Sequence, residues 1–346
     1  MHPFPQNAPE QVKIYFTWIC NLSCPFCYEK EARKNLPARP FEDFLKLVDE
    51  LEEMKVFLVT LCGGEPFAHP RFFELVDRVV AGRMRFNIMT NGTLITPEKA
   101  RRLAATGRCN QVQISLDGTR EHHDLLRGKG SFDKAVAAIK YLRDEGLKVV
   151  VNTVISSSNY KDMPRLAEFL ETTGVSTYRM VPVHDHDAKL PEESSMLSTE
   201  EFAGVVAEIG PRLAEFPHMN ERSAPKSYYL TIKNPQTPDP AKCNRRCATP
   251  FRALSVRPDG AIFSCEDLDC GILGYIGKDR LADVWQKSPA LADFRRRVLA
   301  GTPPLKGESC NGCPYYYYCS QYCPLWVYDT YCRMEIKAYL EKKGLL

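Results

Sequence analysis

Three cysteines, Cys20, Cys24 and Cys27, lie near the start of the chain in the spacing CxxxCxxC. Cysteine thiolates bind iron–sulfur clusters and zinc, and a structural site of either kind normally has four protein ligands. Three thiolates can hold three irons of a 4Fe–4S cluster and leave the fourth iron without a protein ligand. The motif therefore predicts a cluster that binds a further molecule at its open iron. A three-cysteine zinc site and chance clustering are the alternatives.

The spacing, with the aromatic Phe26 directly before Cys27, resembles the motif of the radical S-adenosylmethionine (SAM) enzymes. The resemblance implies that SAM chelates the open iron through its amino and carboxylate groups. It also implies that an electron from the cluster cleaves SAM to methionine and a 5′-deoxyadenosyl radical. Cys20, Cys24 and Cys27 are then the ligands of the SAM cluster.

The composition is that of an ordered globular protein. The 346 residues are enough for one large domain or two ordinary ones, and 44% of them are hydrophobic and 26% charged. A net charge of +3 is too small to indicate a nucleic-acid partner, and no apolar run is long enough to span a membrane. Because no signal peptide is evident, we expect a cytoplasmic protein whose 14 cysteines bind metal rather than form disulfides.

Strand-like runs alternate with helical patterns through residues 12–216. β-Branched and apolar residues predict six strands, at 12–18, 56–61, 85–89, 111–116, 148–155 and 176–183. Apolar residues at helical spacing, such as Phe41, Phe44 and Val48, predict the intervening helices, and a capping box at Ser198 and Glu201 predicts another helix start. Successive βα units give parallel strands, and six units are too few for a closed eight-stranded barrel. We therefore predict a partial (β/α)6 barrel, which is also the fold that the resemblance implies.

A glycine-rich motif, Gly63-Gly64-Glu65-Pro66, follows the second predicted strand. The carboxyl ends of parallel strands are where β/α sheets carry their chemistry. Two glycines allow the backbone to come close to a ligand, and Glu65 can accept hydrogen bonds from an ammonium group. In the radical SAM family this stretch holds the amino group of SAM. Alone, the motif is also a plausible turn.

Polar residues also stand at the ends of the later strands. Ser115 or Asp117 could bind ribose hydroxyls, and Arg127 could pair with the SAM carboxylate. The family places the adenine at the end of strand six, near Val181. Each residue has a structural alternative as a turn former or a solvated side chain. The SAM contacts implied in this way are Phe26, Gly63, Gly64, Glu65, Pro66, Asn91, Ser115, Asp117, Arg127, Asn152 and Val181.

Nine cysteines lie between Cys243 and Cys332. Their spacing, Cys247-x12-Gly260-x4-Cys265 and Cys310-x2-Cys313-x5-Cys319-x3-Cys323 followed by Cys332, resembles the SPASM extension of some radical SAM enzymes. The resemblance implies two auxiliary 4Fe–4S clusters. The implied ligands are Cys243, Cys247, Cys265 and Cys323 for auxiliary cluster I, and Cys310, Cys313, Cys319 and Cys332 for auxiliary cluster II. Cys270 is either a buried thiol or a replacement for Cys243, and zinc is the alternative metal. We expect Cys62 and Cys109 to be packed as small apolar residues.

The predicted domain organisation follows from these segments. Five prolines in residues 217–242 interrupt any periodicity and predict a linker, within which Tyr228 to Ile232 could form a short strand. The predicted units are an N-terminal tail (1–11), the barrel (12–216), the linker (217–242) and the SPASM domain (243–346). The segment His184 to Asp187 is expected to be a polar loop rather than a metal site, since alternate residues of an extended chain point in opposite directions.

Two acidic residues, Glu266 and Asp267, directly follow Cys265. A carboxylate at this position resembles the anaerobic sulfatase-maturating enzymes, in which it acts as a base. Oxidation of a substrate releases a proton that a general base within reach can accept. The alternative is two solvated acids on a loop.

The resemblance implies an oxygen-sensitive oxidoreductase that abstracts hydrogen from a peptide or protein side chain and so oxidises or cross-links it. A low-potential donor such as flavodoxin or ferredoxin would supply electrons. Because only about eleven residues precede the first strand, we expect no leader-peptide-binding domain. A peptide substrate would then need a separate recognition protein or direct capture. Small-molecule or cofactor biosynthesis is the alternative. A non-catalytic electron carrier is disfavoured because it has no use for a SAM site.

Overall fold

The structure is a computed structural model that describes residues 7–27, 29–183, 195–215, 224–233, 249–265, 271–300 and 332–345. Its strands are β1 (Gln11–Tyr15), β2 (Leu58–Cys62), β3 (Arg85–Thr90), β4 (Cys109–Ser115), β5 (Val149–Ile155), β6 (Thr177–Pro182), β7 (Ala253–Val256), β8 (Ala261–Phe263) and β9 (Gly274–Tyr275). Its helices are α1 (Lys30–Asn35), α2 (Phe41–Glu53), α3 (Phe72–Ala81), α4 (Pro97–Ala105), α5 (Arg120–Arg127), α6 (Ser131–Asp144), α7 (Met163–Thr173), α8 (Thr199–Glu215), α9 (Ala224–Lys233), α10 (Thr249–Arg252), α11 (Leu281–Lys287), α12 (Pro289–Ala300) and α13 (Arg333–Lys342). Two 3₁₀ helices, Pro66–Ala68 and Tyr160–Asp162, complete the description.

The nine strands form one sheet in the order β6-β5-β4-β3-β2-β1-β7-β8-β9. Strands β1 to β6 are parallel neighbours in chain order, and helices connect them, as expected for successive right-handed βα units. Within the described residues the sheet does not close, because β6 and β9 are its edges. The predicted partial (β/α)6 barrel is therefore confirmed, and its strands begin and end within a few residues of the predicted limits.

Alternation along the strands gives the sheet two different faces. One face is fully buried, with side chains such as Val12, Ile14 and Ile114 at 0% exposure. Helix residues including Phe44 and Leu75 belong to the same hydrophobic cluster, so the helices bury their apolar stripes on this face. The opposite face carries half-buried polar residues at alternate strand positions.

The start of α8 has the predicted capping box. The Ser198 backbone N–H donates to Glu201 Oε2 at 2.9 Å, and the Glu201 N–H donates to Ser198 Oγ at 3.1 Å. This reciprocal pair satisfies two of the N–H groups that a helix start leaves without intrahelical partners. Among the described helices, none is long and apolar enough to cross a membrane.

The short strand suggested at Tyr228 to Ile232 is wrong, because these residues belong to α9. Tyr228 and Ile232 are four residues apart, lie on one helical face and are both buried. The Tyr228 ring packs edge-on against Phe202 of α8, with centroids 5.1 Å apart. Burial against α8 thus favours the helical period over the β propensity of these residues.

Three strands that were not predicted, β7 to β9, extend the sheet beyond β1. Strand β7 runs parallel to β1, with Gln11 opposite Ala253 and Ile14 opposite Val256. Strand β8 pairs antiparallel with both β7 and β9. A turn with Gly260 at φ +87° connects β7 and β8, a conformation that suits glycine. The C-terminal part of the chain thus shares the sheet that carries the cysteine motif.

Candidate active site at the carboxyl ends of the strands

The loop after β1 carries Cys20, Cys24 and Cys27, all partly exposed and free of disulfide bonds. The Leu22 N–H donates to Cys20 Sγ at 3.4 Å, and the Cys27 N–H donates to the Cys24 carbonyl at 3.3 Å. Within the described part of the chain, no three His, Cys, Asp or Glu side chains converge as ligands of one metal ion would. Three thiols on one loop can hold three irons of a cubane cluster, whereas a structural zinc site normally has four protein ligands.

The two glycines after β2 lie against the backbone that leads into the cysteine loop. The Gly64 N–H donates to the Thr17 carbonyl at 2.8 Å, and the Glu65 N–H donates to the Ile19 carbonyl at 2.7 Å. A Cβ added at Gly64 would stand 2.3 Å from the Ile19 carbonyl oxygen, and one at Gly63 would stand 2.6 Å from that of Thr17. The backbone that approaches these two glycines is therefore the segment that leads into the cysteine loop. Binding of a ligand at Gly63 and Gly64 remains a prediction.

Glu65 is fully buried directly after these glycines. Its Oε1 accepts hydrogen bonds from Thr90 Oγ1 at 2.7 Å and from the Phe67 N–H at 3.1 Å, and its Oε2 accepts one from the Asn91 N–H at 2.7 Å. Burial raises the pKa of Glu65, because the loss of water outweighs these three hydrogen bonds. Pro66 follows as the first residue of a 3₁₀ helix, which fixes the turn away from the site.

The loop after β3 is tied to the cysteine loop by side chains. Asn91 Nδ2 donates to Asn21 Oδ1 at 3.0 Å, and Asn21 Nδ2 donates to Thr93 Oγ1 at 2.8 Å. Thr93 Oγ1 in turn donates to Asn91 Oδ1 at 2.6 Å, which closes a ring of three side chains. Sequence reasoning selected Asn91 but missed Asn21, Thr90 and Thr93. The position of Asn21 inside the cysteine motif was the one available signal.

A buried ion pair, Asp117 with Arg127, stands beside the cysteine loop. Arg127 Nε lies 2.5 Å from Asp117 Oδ2, and the side chains are 11% and 0% exposed. Arg127 Nη1 also lies 3.9 Å from Cys24 Sγ, and its guanidinium carbon lies 5.4 Å from the centroid of the Phe26 ring. Burial lowers the pKa of Arg127, but Asp117 and then Cys24 raise it more, so the net pKa is above the ordinary value.

The protein holds Asp117 in place from several sides. The Val154 N–H donates to Asp117 Oδ1 at 3.0 Å, and Asn159 Nδ2 donates to the Asp117 carbonyl at 2.6 Å. The Asp117 N–H donates to His123 Nδ1 at 3.1 Å. Burial lowers the pKa of His123 to about 4, so the imidazole is neutral at pH 7 and can accept this bond. His123 and Asn159 were not predicted from the sequence, because their contacts with Asp117 form only when the chain folds.

Ser115, Asn152 and Val181 lie on the half-buried polar face of neighbouring strands. Ser115 is opposite Asn152 across β4 and β5, and Val181 is opposite Val154 across β5 and β6. Arg179, also opposite Asn152, donates from Nη1 to Gln113 Oε1 at 3.1 Å. Gln113 and Arg179 were not selected from the sequence, although polar residues at every second position of β4 signal this face.

Most of the predicted C-terminal ligands lie outside the described residues. These are Cys243, Cys247, Cys310, Cys313, Cys319 and Cys323, together with Glu266, Asp267, Cys270 and the segment 184–187. Of the remaining ligands, Cys265 is buried just after β8, and Cys332 is exposed at the start of α13. The Cys62 thiol is buried and donates to the Ile14 carbonyl at 3.5 Å. Burial raises the pKa of Cys109 to about 12, as expected for an unreactive packed thiol.

Two family models match the chain. The model of the radical SAM superfamily matches residues 14–170, which include the cysteine loop, Glu65 and the Asp117–Arg127 pair. The SPASM model, described as an iron–sulfur cluster-binding domain, matches residues 247–314. Radical SAM enzymes use a 4Fe–4S cluster and SAM, which agrees with the three-thiol donor set of the first loop.

Two kinds of curated relative differ in how much of the chain they match. Mycofactocin maturase MftC of Mycobacterium tuberculosis is 40% identical over 175 residues, which is 49% of this chain and 44% of that protein. The chain thus spans less than half the length of this relative. Fe-coproporphyrin III synthase of Methanosarcina barkeri is 31% identical over 339 residues, which is 90% of this chain and 81% of that protein.

Solved structures of two proteins share the fold. SuiB of Streptococcus suis, bound to precursor peptide SuiA, matches with a TM-score of 0.71 at 18% identity, over 94% of this chain and 76% of that chain. The protein anSMEcpe with bound AdoMet matches with a TM-score of 0.72 at 17% identity, over 97% of both chains. The family models, the full-length relative and the shared fold agree with the site geometry, and the chain therefore belongs to the radical SAM superfamily and includes a SPASM iron–sulfur cluster-binding domain.

Proposed function

We propose that this protein is a radical SAM/SPASM oxidoreductase that abstracts hydrogen from a peptide or protein side chain, leading to its oxidation or cross-linking. When bound, a 4Fe–4S cluster with one open iron supplies the electron that cleaves SAM to methionine and a 5′-deoxyadenosyl radical. The observation that carries the proposal is the joining of the three-thiol loop to the Glu65 loop through the Gly64 to Thr17 backbone hydrogen bond. The proposal is also supported by Arg127, whose Nη1 lies 3.9 Å from Cys24 Sγ on the same loop.

Glu65 and Arg127 provide opposite charges for the two ends of an amino acid. Glu65 accepts three hydrogen bonds, and a carboxylate has about four acceptor positions, so one position is left for the SAM ammonium group. Arg127 uses Nε and Nη1 towards Asp117 and Cys24, and among the described residues Nη2 is left for the SAM carboxylate. The remaining proposed contacts of the cofactor are Phe26, Gly63, Gly64, Pro66, Asn91, Ser115, Asn152 and Val181.

The ribose is better matched by Ser115 and Asn152 than by Asp117. The charge of Asp117 is already paired with Arg127 through Oδ2, its Oδ1 accepts the Val154 N–H, and its side chain is 0% exposed. Ser115 and Asn152 are half-buried neighbours on the polar face, and each offers a donor and an acceptor. We therefore assign ribose binding to Ser115 and Asn152, and a positioning role to Asp117.

We further propose three 4Fe–4S clusters, the second and third held by the eight C-terminal cysteines named for the auxiliary clusters. Glu266 or Asp267 would accept the proton that substrate oxidation releases. A flavodoxin or ferredoxin would deliver low-potential electrons, and a separate recognition protein would bind the leader of a peptide substrate. Support for a peptide substrate comes from mycofactocin maturase MftC, which is 40% identical over 49% of this chain. SuiB and anSMEcpe, which share the fold, have structures with precursor peptide SuiA and with the Cp18Cys peptide.

Small-molecule or cofactor biosynthesis is the second candidate function. The observation in its favour is that Fe-coproporphyrin III synthase matches 90% of the chain, whereas the maturase MftC matches 49% of it. A non-catalytic iron–sulfur electron carrier is disfavoured, because it has no need of Glu65 and Arg127 beside a three-cysteine loop.

Anaerobic reconstitution tests the proposal. We expect about twelve irons per chain, four for each of three clusters, and release of 5′-deoxyadenosine that depends on SAM and a reductant. Bound zinc, or about four irons without SAM cleavage, would refute it. Incubation with the peptide encoded by a short neighbouring reading frame, compared with incubation with iron coproporphyrin, then separates the two candidate substrates by which one changes mass.

A further inference from the structure

The Asp117–Arg127 pair contacts a predicted cluster ligand directly. Arg127 is the last residue of α5, and its guanidinium lies between Asp117 Oδ2 at 2.5 Å and Cys24 Sγ at 3.9 Å. The Phe26 ring on the same loop lies 5.4 Å from the guanidinium carbon. The guanidinium is thus fixed between the end of β4 and the cysteine loop, with little room to rotate away.

The aim of the guanidinium depends on Asp117, which is itself immobile. Asp117 is 0% exposed and is held by the Val154 N–H, by Asn159 and by the His123 ring. Its Oδ1 accepts the Val154 N–H, and its Oδ2 accepts the Arg127 Nε–H. The carboxylate therefore determines which sulfur the Nη1–H faces.

Arg127 is the member of the pair that faces Cys24. Its Nη1 lies 3.9 Å from Cys24 Sγ, while Asp117 Oδ2 accepts the Nε–H of the same guanidinium. A positive charge and an N–H donor close to a ligand sulfur stabilise the more negative, reduced state of an iron–sulfur cluster and raise its reduction potential. The geometry therefore favours reduction of a cluster bound at this loop.

We infer that Asp117 is a positioning residue that aims Arg127 at the Cys24 sulfur, and that the pair raises the reduction potential of the N-terminal cluster. This inference rests on the proposed function, because it requires a cluster at Cys20, Cys24 and Cys27. It gives Arg127 a role that exists before SAM arrives. It also explains why Asp117, at the end of a strand in the site, is turned towards protein rather than towards a ligand.

The experiment is an EPR-monitored redox titration of the anaerobically reconstituted full chain, without SAM. Addition of SAM to a separate sample identifies the N-terminal cluster as the one whose signal changes. In Arg127→Gln we expect the ratio of reduced to oxidised cluster at a fixed potential to fall about tenfold, which is about 59 mV for a one-electron couple. Arg120→Gln is the matched control, because Arg120 lies on the same helix, 59% exposed and paired with Asp133. Its potential should equal that of the wild type.

The sign of the shift in Asp117 variants tests the positioning role. If Asp117 acted only through its negative charge, Asp117→Ala would raise the potential, whereas loss of aim should lower it. Asp117→Asn keeps an acceptor oxygen for the Arg127 Nε–H, and its reduction potential should be close to or above the wild-type value. Iron content and the circular dichroism spectrum verify loading and folding. Arg127→Lys, expected to give an intermediate shift, replaces Arg127→Gln if that variant fails to fold, and Asp117→Asn likewise replaces Asp117→Ala, with a potential well below the wild-type value counting against the role assigned to the retained acceptor.

The outcomes separate this inference from the function on which it rests. A wild-type protein without a SAM-responsive EPR signal would contradict the proposed function itself. A normal signal with an unchanged potential in Arg127→Gln and Arg127→Lys would overturn only the inference. A raised potential in Asp117→Ala, with Arg127→Gln lowered, would overturn the positioning role of Asp117.

Discussion

Replacement of Gly64 by alanine tests the joint between the two loops of the site. The added Cβ would stand 2.3 Å from the Ile19 carbonyl oxygen and 2.8 Å from that of Trp18. Both are backbone atoms, so the loops must separate by about 1 Å to reach ordinary contact distance. The separation weakens the Gly64 to Thr17 and Glu65 to Ile19 hydrogen bonds, each contributing about 1 kcal/mol. We therefore expect Gly64→Ala to lower the free energy of unfolding by about 2–4 kcal/mol.

The same displacement should affect function more than stability. Glu65 would shift relative to the cysteine loop, and a misplacement of about 1 Å can lower a rate about 10²-fold. The assays are urea denaturation of the iron-free protein under anaerobic conditions and release of 5′-deoxyadenosine after reconstitution. Gly204→Ala in α8 is the control, because nothing lies within 4 Å of its added Cβ and helical Gly-to-Ala changes stabilise by about 0.5–1 kcal/mol. Wild-type stability and SAM cleavage in Gly64→Ala would refute the reasoning.

Three further predictions concern single side chains. Thr90→Val removes the hydroxyl that donates to Glu65 and accepts from the Gly92 N–H; we expect a loss of about 1–3 kcal/mol in urea denaturation, and an unchanged midpoint would contradict it. Burial lowers the pKa of His123 to about 4 in the folded state, whereas an unfolded histidine is protonated near pH 6.5. The free energy of unfolding should therefore fall by about 3 kcal/mol as the pH drops from 6.5 to 4, and His123→Gln should flatten that profile. Ser198→Ala removes the hydroxyl of the α8 capping box and should cost about 1 kcal/mol, measured by the same denaturation, with no change in SAM cleavage.

The parallel core could be predicted because its signals are local. Strands β1 to β6 are apolar runs separated by helices with a 3.6-residue period, and each strand pairs with the next one in the chain. Strands β7 to β9 have four, three and two residues, too few for a period to be visible. Their place beside β1 depends on pairing between residues far apart in the chain, which no local pattern records.

The sequence predicted which residues belong to the candidate site, but it did not predict which of them contact one another. Asp117 and Arg127 were selected as separate contacts of SAM, whereas the fold brings them together as an ion pair. Their contact depends on the length of α5 and on the turn that precedes it. Similarly, Gly63 and Gly64 indicated a close approach, but the approaching segment, Thr17 to Ile19, is known only once β1 and β2 are paired. Residue type therefore predicted chemistry, and tertiary structure determined the partners.

The pairing of β1 with β7 has a consequence for synthesis of the chain. Arg252, which bonds to Glu10 at the start of this pair, is 242 residues away from it in sequence. At about 5–20 residues per second, a ribosome needs roughly 10–50 s to make that stretch. Throughout this interval one edge of β1 has no neighbouring strand, and the cysteine loop that follows it stands at the open margin of the sheet. Any chaperone or cluster-delivery protein that acts on the nascent chain has that interval in which to reach the three thiols.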